Sequence, residues 1–268
     1  MKIEKITRAC SLHNEDSFII DDKFIMVMDG ATSLEKTPLQ PTGGAYLVNK
    51  ISTCLPKLKG DIIDRLDVVA KDVYQTLKKD NLTNLKMLPS AGLAWIEFEG
   101  DEVIVHTIGD CEAAIVAKDN KVTRIIIKDL LKLDAQALDE LVKVSKRENI
   151  CIKDCRPLIN DILVKNRMMM NTPEGYSIFA PSNCPDFKYS TNVFLKNDIK
   201  EIYLYSDGFA DAFTTFNLYK SAEDLFSKSV DINKVVNEIV NAADNDPLCN
   251  NFPRFKFIDD ITAIKITL

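Results

Sequence analysis

The residues best suited to chemistry in this chain are aspartates that recur in one context, an apolar β-like run ending at an aspartate, usually beside a glycine. The context occurs at FIMVMDG (Asp29, Gly30), VIVHTIGD (Gly109, Asp110) and IYLYSDG (Asp207, Gly208). Glu15-Asp16 precedes another such run, and Asp259-Asp260 precedes the last one. A single Asp-Gly is a common turn, because aspartate bonds its own backbone and glycine tolerates positive φ. Several short carboxylates at strand ends, however, offer the rigid, closely spaced oxygen ligands that Mg²⁺ or Mn²⁺ require. Converging, they would make a two-metal site.

Other chemistries find little support. There are two histidines, His13 and His106, and neither a G-x-S-x-G elbow nor a Walker-type phosphate loop. His106 lies on an alternating β-like run and reads as core or sheet surface. The seven cysteines are scattered without a C-x-x-C pair and read as free thiols, Cys111 as packing beside Asp110. The methionine run Met168 to Met170 reads as core packing at a helix end. A net charge of -6 with no basic block argues against a nucleic-acid partner. No apolar run reaches the length of a membrane span, and the polar N-terminus lacks a signal-peptide core, so a cytoplasmic protein is expected.

The elements that must position the acids follow from periodicity. Lys2 to Cys10, Ser17 to Ile20 and Phe24 to Met28 read as strands, and Gly43 to Lys79 as two amphipathic helices broken near Pro56 to Gly60. Ser90 to Lys128 reads as an antiparallel meander. Helical spacing returns at Ala135 to Arg147 and around Pro157 to Met170. A strand from Glu201 to Ser206 leads to an Asp207-Gly208 turn, helices follow at Ala222 to Lys228 and Ile232 to Ala243, and a last strand covers Ile261 to Leu268. Strand blocks alternating with helix pairs indicate an α+β fold with antiparallel sheets. One domain, 1–268, is expected, with a less regular insertion at about 130–195.

The ordered motifs NEDSF (14–18), VMDGATS (27–33), PSAGLAW (89–95), TIGDCEAAI (107–115), YSDGFAD (205–211) and DDITAIKI (259–266) resemble those of the PPM, or protein phosphatase 2C, type of metal-dependent phosphatase, in its bacterial form. The resemblance runs from Asn14 to the C-terminus. It implies a four-layer α-β-β-α sandwich of two antiparallel sheets flanked by helices. It also implies that Asp29 bridges two Mn²⁺ or Mg²⁺ ions, that Asp207 and Asp259 complete the shell of one, and that the Gly30 carbonyl contacts the other. Asp16 and Glu15 would sit beside that second ion, through waters. Asp110 and Asp211 match positions that hold a third, weaker metal with help from Asp207.

The implied activity is hydrolysis of phosphate monoesters, phosphoserine or phosphothreonine on proteins, by a metal-activated bridging water with Asp29 and Asp207 as catalytic residues and no protein nucleophile. A monomer acting on a phosphorylated protein is expected. Two departures stand out. Where many members carry a phosphate-gripping arginine, this chain has Ser11, leaving Arg8, His13, Lys36 or Arg167 as substitutes. Where eukaryotic members carry a histidine after Asp-Gly, it has Ala31, leaving a metal-bound water or His13 as proton donor. Ser11 also motivates the alternative, an inactive pseudophosphatase retained as a binding or regulatory module.

Overall fold

A computed structural model describes residues 1–268. The chain opens with β1 (Lys2–Arg8), β2 (Asp16–Ile20) and β3 (Phe24–Ala31), then α1 (Gly43–Cys54) and α2 (Ile62–Lys79). Next come β4 (Ser90–Glu99), β5 (Glu102–Ile108), β6 (Glu112–Ala117) and β7 (Val122–Ile125). After α3 (Asp129–Glu148) and α4 (Asn160–Met168) follow β8 (Ser190–Leu195) and β9 (Ile199–Tyr205). The chain ends with α5 (Asp207–Thr214), α6 (Ala222–Phe226), α7 (Ile232–Asp244) and β10 (Ile261–Thr267). The strands form two antiparallel sheets, in the orders β1-β10-β9-β6-β7 and β2-β3-β4-β5-β8.

Alternation along the strands builds three cores and so four layers. Ile25 and Val27 of β3, Ala94 and Ile96 of β4, Ile202 and Leu204 of β9, and Ile264 and Ile266 of β10 meet in the seam between the sheets. The intervening residues Phe24, Met26 and Met28 turn outward against α1 and α2. On the other sheet Tyr203, Tyr205 and Ala263 turn outward against α5, α6 and α7. The expected α-β-β-α sandwich is therefore present.

Three details differ from the sequence reading. Asp29-Gly30 is no turn, since β3 runs through it and pairs Asp29 with Gly92 and Gly30 with Ala91. The meander is not one sheet: β4 and β5 belong to one layer, β6 and β7 to the other, and the chain crosses at Gly109-Asp110-Cys111, with Gly109 at φ +74°. Asp207-Gly208 likewise opens helix α5 instead of forming a separate turn. In all three places the apolar pattern stops where a carboxylate enters the seam, and tertiary contacts set the backbone there.

The stretch 130–195 also holds more regular structure than expected. Its first helix already starts at Asp129, and its last six residues form β8, an edge strand on β5. The buried face of α3 is Ala137, Leu141 and Val144. Of the methionine run, Met170 is buried but Met168 is exposed, so only part of it packs in the core. No helix is long and apolar enough to cross a membrane.

Candidate metal centre

Register decides where the first two aspartates go. β2 and β3 pair with Asp16 opposite Asp29, and directly opposed residues carry their side chains on one face. That face is the one on which Phe18, Ile25 and Val27 enter the seam between the sheets. At Asp29 the apolar ladder ends and the acids begin. β4 completes the floor, because Gly92 lies opposite Asp29 on its other flank. A Cβ at position 92 would lie 2.0 Å from Asp110 Oδ1, so glycine there lets the Asp110 carboxylate pass across the sheet. Single oxygens of Asp29 and Asp110 and the Cys111 sulfur fall within 4.8 Å of one another.

The other sheet delivers its acids through a helix start. β9 ends at Tyr205, Ser206 is the extended N-cap residue, and Asp207 is the first residue of α5. The partial positive charge of a helix N-terminus favours a carboxylate there. Asp207 comes within hydrogen-bonding reach of Asp29. One turn on, Asp211 lies on the same helix face, where the Thr214 and Thr215 hydroxyls donate to it. The strand ends are locked by a trio around the buried Glu112: Arg124 donates to both Glu112 oxygens at 2.6 Å, and the Tyr205 hydroxyl donates to Glu112 at 2.9 Å. Glu112 and Tyr205 each stand two residues from a site acid, Asp110 and Asp207.

Asp259 and Asp260, though adjacent, serve different ends. Asp260 accepts from the amides of Cys10 (2.7 Å), Ser11 (3.3 Å) and Glu15 (2.7 Å), tying the loop between β1 and β2 to the start of β10. Asp259 accepts from Lys256 Nζ at 2.6 Å. The Gly30 amide donates to the Glu15 carbonyl at 2.9 Å, and a Cβ on Gly30 would lie 2.6 Å from that oxygen and 2.8 Å from the Gly44 carbonyl. The Glu15 carboxylate itself is engaged by the Thr32 and Thr42 hydroxyls at the start of α1. Asp16, Asp29, Asp110, Asp207, Asp211 and Asp259 thus share one field, and Glu15 stands at its edge.

The field is strong. Burial, followed by the charges of Asp207 and Asp16, pushes the Asp29 carboxyl well above the ordinary range. Burial also raises Asp16 and Asp110, each further raised by Asp207, and it raises Asp207, further raised by Asp259. Asp211 is pushed up to about 7 by burial and then by Asp207. Asp134, on α3, is pushed to about 6 by the same two causes in the same order. Burial raises the Cys111 thiol too.

Three carboxylate oxygens, Asp16 Oδ2, Asp110 Oδ1 and Asp207 Oδ1, are buried without any hydrogen-bond partner. Buried acceptors are ordinarily satisfied, and an unsatisfied one costs about 1–3 kcal/mol or more when charged. An all-oxygen set of this charge suits hard divalent cations and not soft ones. The residues present therefore fit Mg²⁺ or Mn²⁺.

Of the candidates for the missing arginine, Arg167 is spent: it is buried and donates to Ser90 Oγ (2.6 Å) and the Thr32 carbonyl (2.7 Å). Arg8 is exposed at the end of β1 and Lys36 is exposed in the loop after β3. The His13 carbonyl accepts from the Ser11 hydroxyl at 2.6 Å. Asp134, Lys256 and Gly92 were not singled out from the sequence. Asp134 had a visible signal, because it falls at helical spacing with Leu130, Leu133 and Ala137, a stripe where an acid is out of place.

No protein-family model matches the chain, and no curated protein sequence does either. Solved structures do match its fold. Serine/threonine phosphatase Stp1 from Staphylococcus aureus aligns over 100% of this chain and 94% of its own, with 12% identity and a TM-score of 0.57. The Mycobacterium tuberculosis serine/threonine phosphatase PstP/Ppp aligns over 100% and 98%, with 14% identity and a TM-score of 0.57. The catalytic domain of PstP in complex with two manganese ions aligns over 98% and 96%, with 12% identity and a TM-score of 0.54. The fold is that of bacterial phosphatases of the protein phosphatase 2C type.

Proposed function

We propose that this chain is a metal-dependent phosphatase that hydrolyses phosphate monoesters, phosphoserine and phosphothreonine on proteins, with residues 1–268 acting as one catalytic domain. The observation that carries this reading is the set of orphaned carboxylate oxygens of Asp16, Asp110 and Asp207, gathered with Asp29 and Asp259 at one end of the inter-sheet seam. Like charges so close together, with Lys256 on Asp259 as the one paired cation, are a penalty that bound metal would relieve.

In this reading Asp29, Asp207 and Asp259, with the Gly30 carbonyl and Asp16 beside them, hold two Mn²⁺ or Mg²⁺ ions. Asp110 and Asp211, with Asp207, hold a third more weakly. Cations bound there would supply Lewis acidity, making a water nucleophilic near neutral pH and screening the phosphate. The protein's share is placement. Asp29 stands between the two sheets and orients whatever both hold, while Asp207 is anchored by the N-terminus of α5. The two thiols nearest the acids are poor nucleophiles, since burial raises Cys111 well above the ordinary thiol range and pushes Cys10 up to about 11.

The test is hydrolysis of an aryl phosphate and of a phosphothreonine peptide with and without Mn²⁺. Activity that survives chelation, or that persists in Asp29→Asn and Asp207→Asn, would overturn the mechanism. The exposed Ser11 in the arginine position favours a second reading, an inactive module that keeps the fold. A folded chain that binds Mn²⁺ by calorimetry yet hydrolyses neither substrate would establish it.

A further inference from the structure

The position where a phosphate-gripping arginine is expected holds Ser11, and its surroundings show which cation could act instead. The Ser11 amide donates to Asp260, and the Asp260 amide in turn donates to Asp259 Oδ1 at 3.0 Å. On that same Asp259 oxygen, at 2.6 Å, lies the ammonium of Lys256. Three hydrogen bonds therefore connect the empty arginine position to a lysine at the mouth of the acid cluster. We propose that Lys256 is the substrate-phosphate ligand of this site, supplying from the loop before β10 the positive charge that position 11 lacks.

Three observations support the assignment, which rests on the phosphatase reading above. First, Lys256 faces the site: after Asp259, the acids acting most strongly on it are Asp207 and Asp29. Its side chain is 50% exposed and that of Asp259 is 28% exposed, so the pair is reachable from solvent.

Second, two other arginines are committed elsewhere. Arg167 is committed to Ser90 and Thr32. Arg254, the nearest cation along the chain, is 7% exposed and paired with Asp246 at 2.8 Å.

Third, that buried pair makes the Lys256 loop rigid. Asp246 accepts from the amides of Asn250, Asn251 and Phe252, and Arg254 donates to the carbonyls of Phe252 and Phe257 at 2.7 Å. The backbone on both sides of Lys256 is thereby fixed, while its four-carbon stem stays free to swing. Such preorganisation lowers the entropy lost when a group closes on a ligand. Once Asp259 serves a divalent cation, that cation repels the ammonium, which is left to pair with an incoming phosphate dianion. A lysine binds phosphate as a point charge and not as a fork, so the site would grip its substrate less directionally than an arginine does.

The experiment uses the full chain, wild type against Lys256→Met and Lys256→Arg, in saturating Mn²⁺. Binding of inorganic phosphate is measured by calorimetry, and hydrolysis of an aryl phosphate is measured in parallel. The Met variant should bind phosphate about 10-fold more weakly or worse and raise KM by a similar factor with a smaller change in kcat, and Arg should restore both. Mn²⁺ affinity of the Met variant should stay equal or increase, because a competing cation has gone. Phosphate affinity unchanged in Lys256→Met overturns the proposal whether or not the chain is active. Lys256-dependent phosphate binding by a chain with no hydrolytic activity would uphold it and sink the catalytic reading. A chain that binds no phosphate overturns both.

Discussion

Asp16 and Asp29 are direct cross-strand partners in an antiparallel pair, two carboxylates side by side on the face that enters the seam between the sheets. Like charges directly opposite destabilise a sheet, and here both groups are buried enough that their carboxyls are pushed well above the ordinary range. The arrangement trades stability of the metal-free chain for a site that a divalent cation completes.

Asp29→Asn should expose that trade. Removing one charge is expected to raise the melting temperature of the metal-free protein by about 2–4 °C, the shift that ~1 kcal/mol gives in a chain of this size. The wild type in Mn²⁺ at 100 times its Kd should gain about 2.7 kcal/mol, and the variant should gain little. Hydrolysis should fall by more than about 100-fold. Thermal melts with and without Mn²⁺ read the first two effects, and a lower melting point for the metal-free variant would contradict the account.

The pH dependence of the metal-free chain has a definite sign. Asp211 and Asp134 are pushed to about 7 and about 6 by burial and by Asp207, whereas an unfolded aspartate titrates near ~4. A carboxyl with a raised folded-state pKa binds its proton more tightly when folded. Its contribution therefore favours folding below the unfolded value and is lost as pH rises through the folded one. Stability without metal should fall between about pH 4 and pH 7. In Mn²⁺ the trend should weaken or invert, since ligands must be deprotonated to bind. Chemical denaturation across that range decides it.

Gly92→Ala places a methyl group 2.0 Å from the present Asp110 Oδ1, so the carboxylate must move. The expected result is about 1–3 kcal/mol of destabilisation from overpacking, together with loss of the weakest Mn²⁺ in a calorimetric titration. Retention of all metal steps would show that Asp110 is not a ligand.

Arg124→Met leaves Glu112, 2% exposed in its side chain, without its partner inside the sheet. Breaking a buried ion pair from one side costs about 3–5 kcal/mol, and partial exposure of Arg124 places this case toward the lower end. Because Glu112 and Tyr205 flank Asp110 and Asp207, Mn²⁺ affinity should weaken as well. A denaturant titration reads the stability, and a variant as stable as wild type would remove this trio from the account.

Much of this architecture was legible in the chain itself. The unbroken apolar run from Phe24 to Met28 and helical spacing from Ile62 to Leu77 are properties of the local apolar pattern, and hydrophobic burial acts on them directly. The recurrence of aspartate where each apolar run stops, at Asp29, Asp110 and Asp207, likewise needs no coordinates to be seen.

What the linear order could not carry is which face and which neighbour. A strand shifted by one residue turns every side chain over, so only the paired register places Asp16 against Asp29 and Gly92 beneath Asp110. The split of the meander into two sheets at Gly109 to Cys111 depends on long-range packing, which also leaves Glu15 held by Thr32 and Thr42. The chain determined that acids would end its strands. Tertiary packing decided which of them meet, because proximity in the seam arises from contacts between segments far apart in sequence.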